Sequence, residues 1–389
     1  MRGYERKRRA FRACFGIFIV LLLFFFGALS ISAEDFEDES LPQEYKDFLD
    51  SLEDSVADKL PDSVFSDDAN EVGEAASEIV KPENIVSLIF DMLFEGLKNA
   101  LPTLAILLGV VVLSALANIL SSNCGSMSKA VEGCTRLSTF CIISGLAVYC
   151  VNTLSTYFDR LFSAVSSFLP LSATMYAMGG NLNTAAGNSA SLTVILSVCE
   201  FFFTKTVVPV FCICLCLSLL SVFDGVGSAA AGSIGATVRK WYMTALSFLM
   251  AIMTFALGAS NLLSVKADKM AMRGMKFAVS SFVPVSGGTL SSTLGNLAAS
   301  VELLRGSIGG IGIVSLLLLL LPVIIELALL RGVFAVSSFC ASMLGCNGEA
   351  KLLSDIESLY GYLEGMAALS AAVFIFAFGI FARTATPFS

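Results

Sequence analysis

Apolar runs of bilayer-spanning length recur from Pro102 almost to the C-terminus, and nothing else in the chain limits its fold as strongly. About 20 apolar residues in a helix cross a hydrocarbon core of about 30 Å. Every backbone polar group in that core must find its partner within the protein. The composition agrees: 56% of the 389 residues are hydrophobic, 14% are charged, and the mean hydropathy is +0.81. A soluble domain carries about 25% charged residues. The expected fold is an all-α polytopic membrane protein, with about seven transmembrane helices after a signal peptide.

A nine-residue phrase occurs twice within this apolar background. Residues 164–172 read AVSSFLPLS and residues 278–286 read AVSSFVPVS, with seven of nine positions identical. Gly-Asn-Leu follows each copy, at Gly180–Leu182 and Gly295–Leu297, and a long apolar block with one proline comes next, Pro209 in the first and Pro322 in the second. These landmarks lie 114, 115 and 113 residues apart, which marks an internal duplication of about 110 residues. The linker before the first copy is neutral (Asp159, Arg160), whereas Lys266, Lys269, Arg273 and Lys276 precede the second against Asp268. The positive-inside bias then puts the two phrases on opposite sides. That is an inverted repeat, an arrangement common in transporters, and it requires two crossings within 192–223 with a turn at Lys205. The parallel alternative makes 192–223 one kinked span.

The chain divides into six regions. Residues 1–33 combine Arg2, Arg6, Lys7, Arg8, Arg9 and Arg12 with an apolar stretch and small residues, the pattern of a signal peptide or an N-terminal anchor. Either reading places residue 34 outside the cytoplasm. Residues 34–84 carry a net charge of −15 and read as an acidic extracytoplasmic segment with one weak amphipathic helix, either a docking segment for a basic partner or a solvated spacer. Residues 85–133 hold an amphipathic interfacial helix and a first span, followed by a short cytoplasmic loop with Lys129 and Arg136. Repeat unit 1 occupies 134–240 and unit 2 occupies 241–358, ending in a soluble loop at 346–358. The final span and tail occupy 359–389.

Catalytic signals are lacking. The chain has no histidine, which removes the commonest general base and metal ligand. Most of its eleven cysteines lie in or beside apolar stretches, where cysteine packs as a small apolar residue. No enzyme activity, cofactor or metal is expected. Proline removes a backbone donor and bars the preceding residue from helical geometry, and broken backbone at membrane depth must be buried or line a cavity. Pro170, Gly179, Gly180, Pro284, Gly287 and Gly288 are therefore candidate path or gating elements; the alternative is an ordinary tight loop between spans. Ionisable residues in apolar blocks are costly and default to functional candidates: Glu200, Lys205, Glu302, Arg305, Glu326 and Arg331, with Glu364 near a helix end. Glu302 and Arg305 stand at i, i+3 and suit a local pair.

The basic leader, the acidic exported segment, the spans and the stretch FVPVSGGTLSSTLG at Phe282–Gly295 together resemble the stage III sporulation protein AE family. The resemblance covers nearly the whole chain and is most specific around the second phrase. It implies an integral protein of the mother-cell membrane around the forespore, the permease-like component of a channel, or feeding tube, needed for forespore development. The implied partners are the other stage III sporulation A proteins (the AA ATPase, AB, AC, AD, AF, and the ring-forming AG and AH) and stage II sporulation protein Q. A non-conducting scaffold for the ring proteins and an independent secondary transporter remain as alternatives. No nucleic acid is expected among the partners.

Overall fold

The computed structural model describes residues 41–52, 54–66, 68–79, 82–121, 125–221, 228–282 and 287–384. The leader at 1–33 and Pro284 lie outside them. Every regular element within them is helical. The acidic segment forms α1 (Gln43–Asp50), α2 (Asp54–Ala57) and α3 (Ala69–Ile79). Long helices follow: α4 (Pro82–Ser121), α5 (Gly125–Met178), α6 (Leu182–Lys205), α7 (Val207–Leu220), α8 (Ser228–Phe282), α9 (Gly287–Met343) and α10 (Asn347–Arg383).

Six stretches within these helices are long and apolar enough to cross a membrane, one each in α4, α5, α6–α7, α8, α9 and α10. Burial sorts them. The most apolar window of α9 is 72% buried and that of α10 is 61% buried, against 17–28% for the other four. Helices α9 and α10 therefore form the centre, packed antiparallel, with Gly309 facing Ala382 and Gly312 facing Phe378. The outermost face of α8 shows Trp241, Phe248, Phe255 and Leu262 at seven-residue spacing, all more than 60% exposed. That stripe suits lipid.

The helices overrun the spans read from hydropathy. At 54, 55 and 57 residues, α5, α8 and α9 reach roughly 80 Å at about 1.5 Å per residue. The expected loops around Lys129 and Arg136, at Lys266–Lys276 and at 346–358 are all helix: the first opens α5, the second continues α8 and the third is the start of α10. Polar residues there end the apolar run without ending the backbone ladder, because hydropathy reports surroundings and helicity reports local hydrogen bonding. The interfacial helix and first span likewise form one helix, α4, with Pro102 inside it.

Real breaks occur where glycine permits them. Gly180 has φ 79° and closes α5: Asn181 N–H donates to Tyr176 C=O (2.8 Å) and Gly180 N–H to Ala177 C=O (3.0 Å). Gly345, φ 80°, repeats this pattern between α9 and α10 with Cys346 donating to Ala341. Both are Schellman caps, which glycine at positive φ satisfies without strain. The break expected at Pro170 is absent, since α5 runs through it to Met178. A proline inside a helix, through the lost hydrogen bond and the clash of its ring with the preceding turn, costs about 3 kcal/mol, and the packing beside Pro170 outweighs it. Phe168 is wholly buried, stacked on Phe378 at 3.7 Å and edge-on to Phe48 and Phe381.

The two crossings expected within 192–223 form one kinked element, and six candidate spans stand among the described residues. Between α6 and α7 only Thr206 intervenes, still right-handed (φ −118°, ψ −28°) and donating its N–H to Phe202 C=O. Pro209 falls in the first turn of α7, where backbone N–H groups need no helical partner. Both pieces pack antiparallel along α8: Asn183 meets Asp268, Ser191 meets Ser260, Cys199 meets Met250, Thr206 meets Tyr242 and Cys214 meets Gly235. Since α5 is antiparallel to α6, α5 and α8 run the same way. The first phrase lies near the end of α5, and the described part of the second, 278–282, ends α8. The helices that carry the two copies are thus parallel, where an inverted repeat would set them opposed.

The acidic segment departs from a solvated spacer in its described part. Tyr45, Phe48, Leu49, Val56, Val64, Val72 and Ala76 are buried, Ser51 bonds Ser167, and Glu44 accepts from Thr174. Its apolar face docks on α5 and α9, and its acids remain outside. Burial raises the Tyr45 phenol pKa, and the hydroxyl donates to Val64 C=O at 2.9 Å.

Candidate functional site

Polar residues line one face of α5 at helical spacing: Tyr149, Asn152, Thr153, Thr156, Tyr157 and Arg160 stand at i, i+3, i+4, i+7, i+8 and i+11. Such a stripe in an apolar helix must face protein or water. Here it faces α9 at Pro322. Two adjoining cavities of about 520 and 460 Å³ open there, sharing Lys59, Tyr149 and Pro322 as common walls. The first adds Glu95, Asn99 and Thr103 of α4 and Glu326 of α9. The second adds Asn152, Thr153, Thr156 and Arg160 of α5.

Several sequence features converge on this cleft. Pro322 sits inside a continuous α9 and has no N–H to give the Leu318 carbonyl, one turn earlier, so that oxygen is available on the cleft side of the helix. Leu318 itself lines the second cavity. Glu326 follows one turn after Pro322, and its carboxylate faces the Tyr149 phenol. Lys59 brings a cation from the acidic segment, beside Glu95 and Glu326. The site thus combines two carboxylates, two cations and neutral hydroxyl and amide groups.

Arg331 stands just beyond this cleft, five residues after Glu326. It reaches across to α10, with 3.0 Å to Glu364 and 3.9 Å to Glu357. Close approach of the two helices makes this possible: a β-carbon on Gly361 would stand 3.0 Å from the guanidinium.

The other sequence candidates are dispersed. Glu200 and Lys205 are exposed on the outer side of α6 and do not approach the cleft residues. Arg305 is wholly buried, and its three guanidinium nitrogens make no hydrogen bond, so Glu302 acts on it through charge alone. Its guanidinium carbon lies 5.1 Å from the centre of the Tyr176 ring. Pro170 is exposed, Gly179 and Gly180 make the cap that ends α5, and Gly287 and Gly288 open α9.

Sequence reasoning passed over Asn99, Thr103, Tyr149, Asn152, Thr153 and Thr156 because it searched for charges. The signal available was the uninterrupted polar stripe across 149–160. Asp268 was also missed, having been counted only as an acid among lysines. Its buried carboxylate accepts from the backbone N–H groups of Asn183 (2.9 Å) and Thr184 (2.8 Å) and from both their side chains, at 3.0 and 2.6 Å. It caps the first turn of α6 from a neighbouring helix, the favourable place for a negative charge.

Among the described residues no group of histidine, cysteine, aspartate and glutamate forms a metal-binding cluster. The cleft holds hydrogen-bonding and ionic groups suited to a hydrated ion or polar solute, and no paired nucleophile and base. A family model described as Stage III sporulation protein AE matches residues 70–385. No curated protein and no solved structure matches the chain.

Proposed function

Because the chain belongs to the stage III sporulation protein AE family, we propose that it is a permease-like membrane subunit of the channel between mother cell and forespore, with the Pro322 cleft as part of the path. The observation carrying this reading is the polar stripe of α5 set against the proline-interrupted α9. Continuous polar lining in an otherwise apolar bundle is costly unless water or solute uses it. The reading places the chain in the mother-cell membrane with the acidic segment outside the cytoplasm. It gives the chain the other stage III sporulation A proteins and stage II sporulation protein Q as partners.

Substituting the cleft tests this. Glu326→Gln combined with Asn152→Leu is expected to abolish late forespore gene expression while the protein stays in the membrane and its assembly with partners persists. Normal sporulation by that variant defeats the path. The non-conducting scaffold is the second reading. It assigns partner recruitment to the acidic segment, whose apolar face is already used within the chain through Phe48 against Phe168 and Phe378.

A further inference from the structure

The geometry points to a second binding site, independent of the Pro322 cleft and of the channel reading: a buried site for an oxyanion or carboxylate at Arg305. The side chain is 0% exposed and all three guanidinium nitrogens are without a hydrogen-bond partner. A buried charge normally has an opposite charge and a full set of hydrogen bonds, because desolvation otherwise outweighs its gains. The Tyr176 ring offsets only part of that penalty.

The surroundings form a built site. Four helices and the residue after a fifth each contribute one buried polar side chain near one level: Tyr176 from α5, Asn188 from α6, Asn261 from α8, Arg305 from α9 and Thr384 after α10. The Tyr176 hydroxyl lies 3.3 Å from that of Thr384, to which Asn261 Nδ2 donates at 3.3 Å. Asn188 joins this level because Gly187 abuts Ser260 and Ser264, while Ser191 donates to Ser260, on either side of Asn261. Both amide atoms of Asn188 are buried without a partner.

The chemistry selects the ligand class. Arg305 and Asn188 together hold unmatched N–H donors and one positive charge, whereas the hydroxyls nearby are already engaged with one another. The complement is an acceptor-rich anion, and the planar guanidinium fork fits two oxygens of a carboxylate or phosphate. The Asp268 carboxylate, at the same end, shows the opposite case: a buried negative group whose donors are all supplied by the chain. For Arg305 the chain supplies the charge of Glu302 but no hydrogen-bond acceptor. The shared ligand chemistry is a phosphate or carboxylate oxygen pair, borne by a free solute or by a lipid headgroup.

Thermal unfolding of the full chain in nanodiscs tests the site in two arms. One titrates inorganic phosphate at constant ionic strength into phosphatidylcholine discs. The other replaces phosphatidylcholine with phosphatidylglycerol in phosphate-free buffer. A saturable rise in Tm is expected in the first arm for a free oxyanion, or a rise in the second for a headgroup. Arg305→Met is expected to lose the responding arm entirely. Asn188→Leu, which keeps the charge, should raise the half-saturating concentration, or cut the lipid-dependent shift, by about tenfold. No rise in either arm overturns the site, as does an equal rise in Arg305→Met. Should Arg305→Met not fold, an unchanged response of Asn188→Leu overturns it instead.

Discussion

Two arginines on α9, 26 residues apart, meet opposite surroundings. Arg331 keeps 22% of its side chain exposed and lies between two carboxylates of α10, whereas Arg305 is fully enclosed with an aromatic ring and no hydrogen bond. Each has an acid nearby on its own helix, Glu326 before Arg331 and Glu302 before Arg305, and Glu302 gives Arg305 no hydrogen bond. Helix packing decided both outcomes. At Arg331, Gly361 lets α10 come close enough to supply Glu357 and Glu364. At Arg305 the facing residues of α10 are Phe381 and Ala382, which supply none. One arginine therefore binds two helices of the protein to each other, and the other is poised for an anion from elsewhere.

Removing each charge separates the two most sharply. Arg331→Met leaves two half-buried carboxylates facing each other and is expected to destabilise by about 3 kcal/mol, the low end for breaking buried pairs because the site is partly wet. Arg305→Met in anion-free buffer is expected to be neutral or stabilising, since it replaces a buried charge that has no hydrogen bond with an apolar chain. Denaturant titration in detergent measures both, and equal losses would erase the distinction. A double-mutant cycle between Arg305→Met and Tyr176→Leu should then show a coupling of about 2 kcal/mol, the size of a desolvated cation–π contact. Next comes Gly361→Ala, whose methyl would press on the Arg331 guanidinium. A loss of about 1.5 kcal/mol is expected, and it should vanish in the Arg331→Met background.

The smallest effect concerns a neutral buried group with its partner in place. Tyr45→Phe should loosen the acidic segment by about 1 kcal/mol, because it leaves the buried Val64 carbonyl unmatched. The phenol's raised pKa fixes the pH dependence. Below a pH of about 10, the ordinary tyrosine value, the phenol is neutral in both states and its contribution is fully present. Above that, the undocked tyrosine ionises first and the contribution falls as pH rises. Limited proteolysis of the segment across pH 8–11 should show that fall in the native chain and not in Tyr45→Phe.

The helical membrane class was legible in the spacing of apolar runs, and the family in the second phrase and its flanks. Helix ends were not. The breaks at Gly180 and Gly345 depend on caps satisfied by residues of the preceding turn, whereas the prolines that punctuate the sequence, Pro102, Pro170 and Pro322, sit inside helices held by their packing. The parallel course of α5 and α8 was hidden by Pro209 and Lys205, which resemble a turn until Thr206 is seen to continue the bend. Among the site residues, Glu326 was found through its charge. Tyr149, Asn152, Thr153 and Thr156 escaped because each is unremarkable alone and only their shared face, opposite Pro322, gives them a role.

The path itself is tested most directly at the middle of that face. In a cysteine-free background, Asn152→Cys should react with a membrane-impermeant thiol reagent from the aqueous side, and the reaction should halt late forespore gene expression. A cysteine at 152 that stays unreactive, or reacts without arresting the forespore, would contradict a path through the Pro322 cleft.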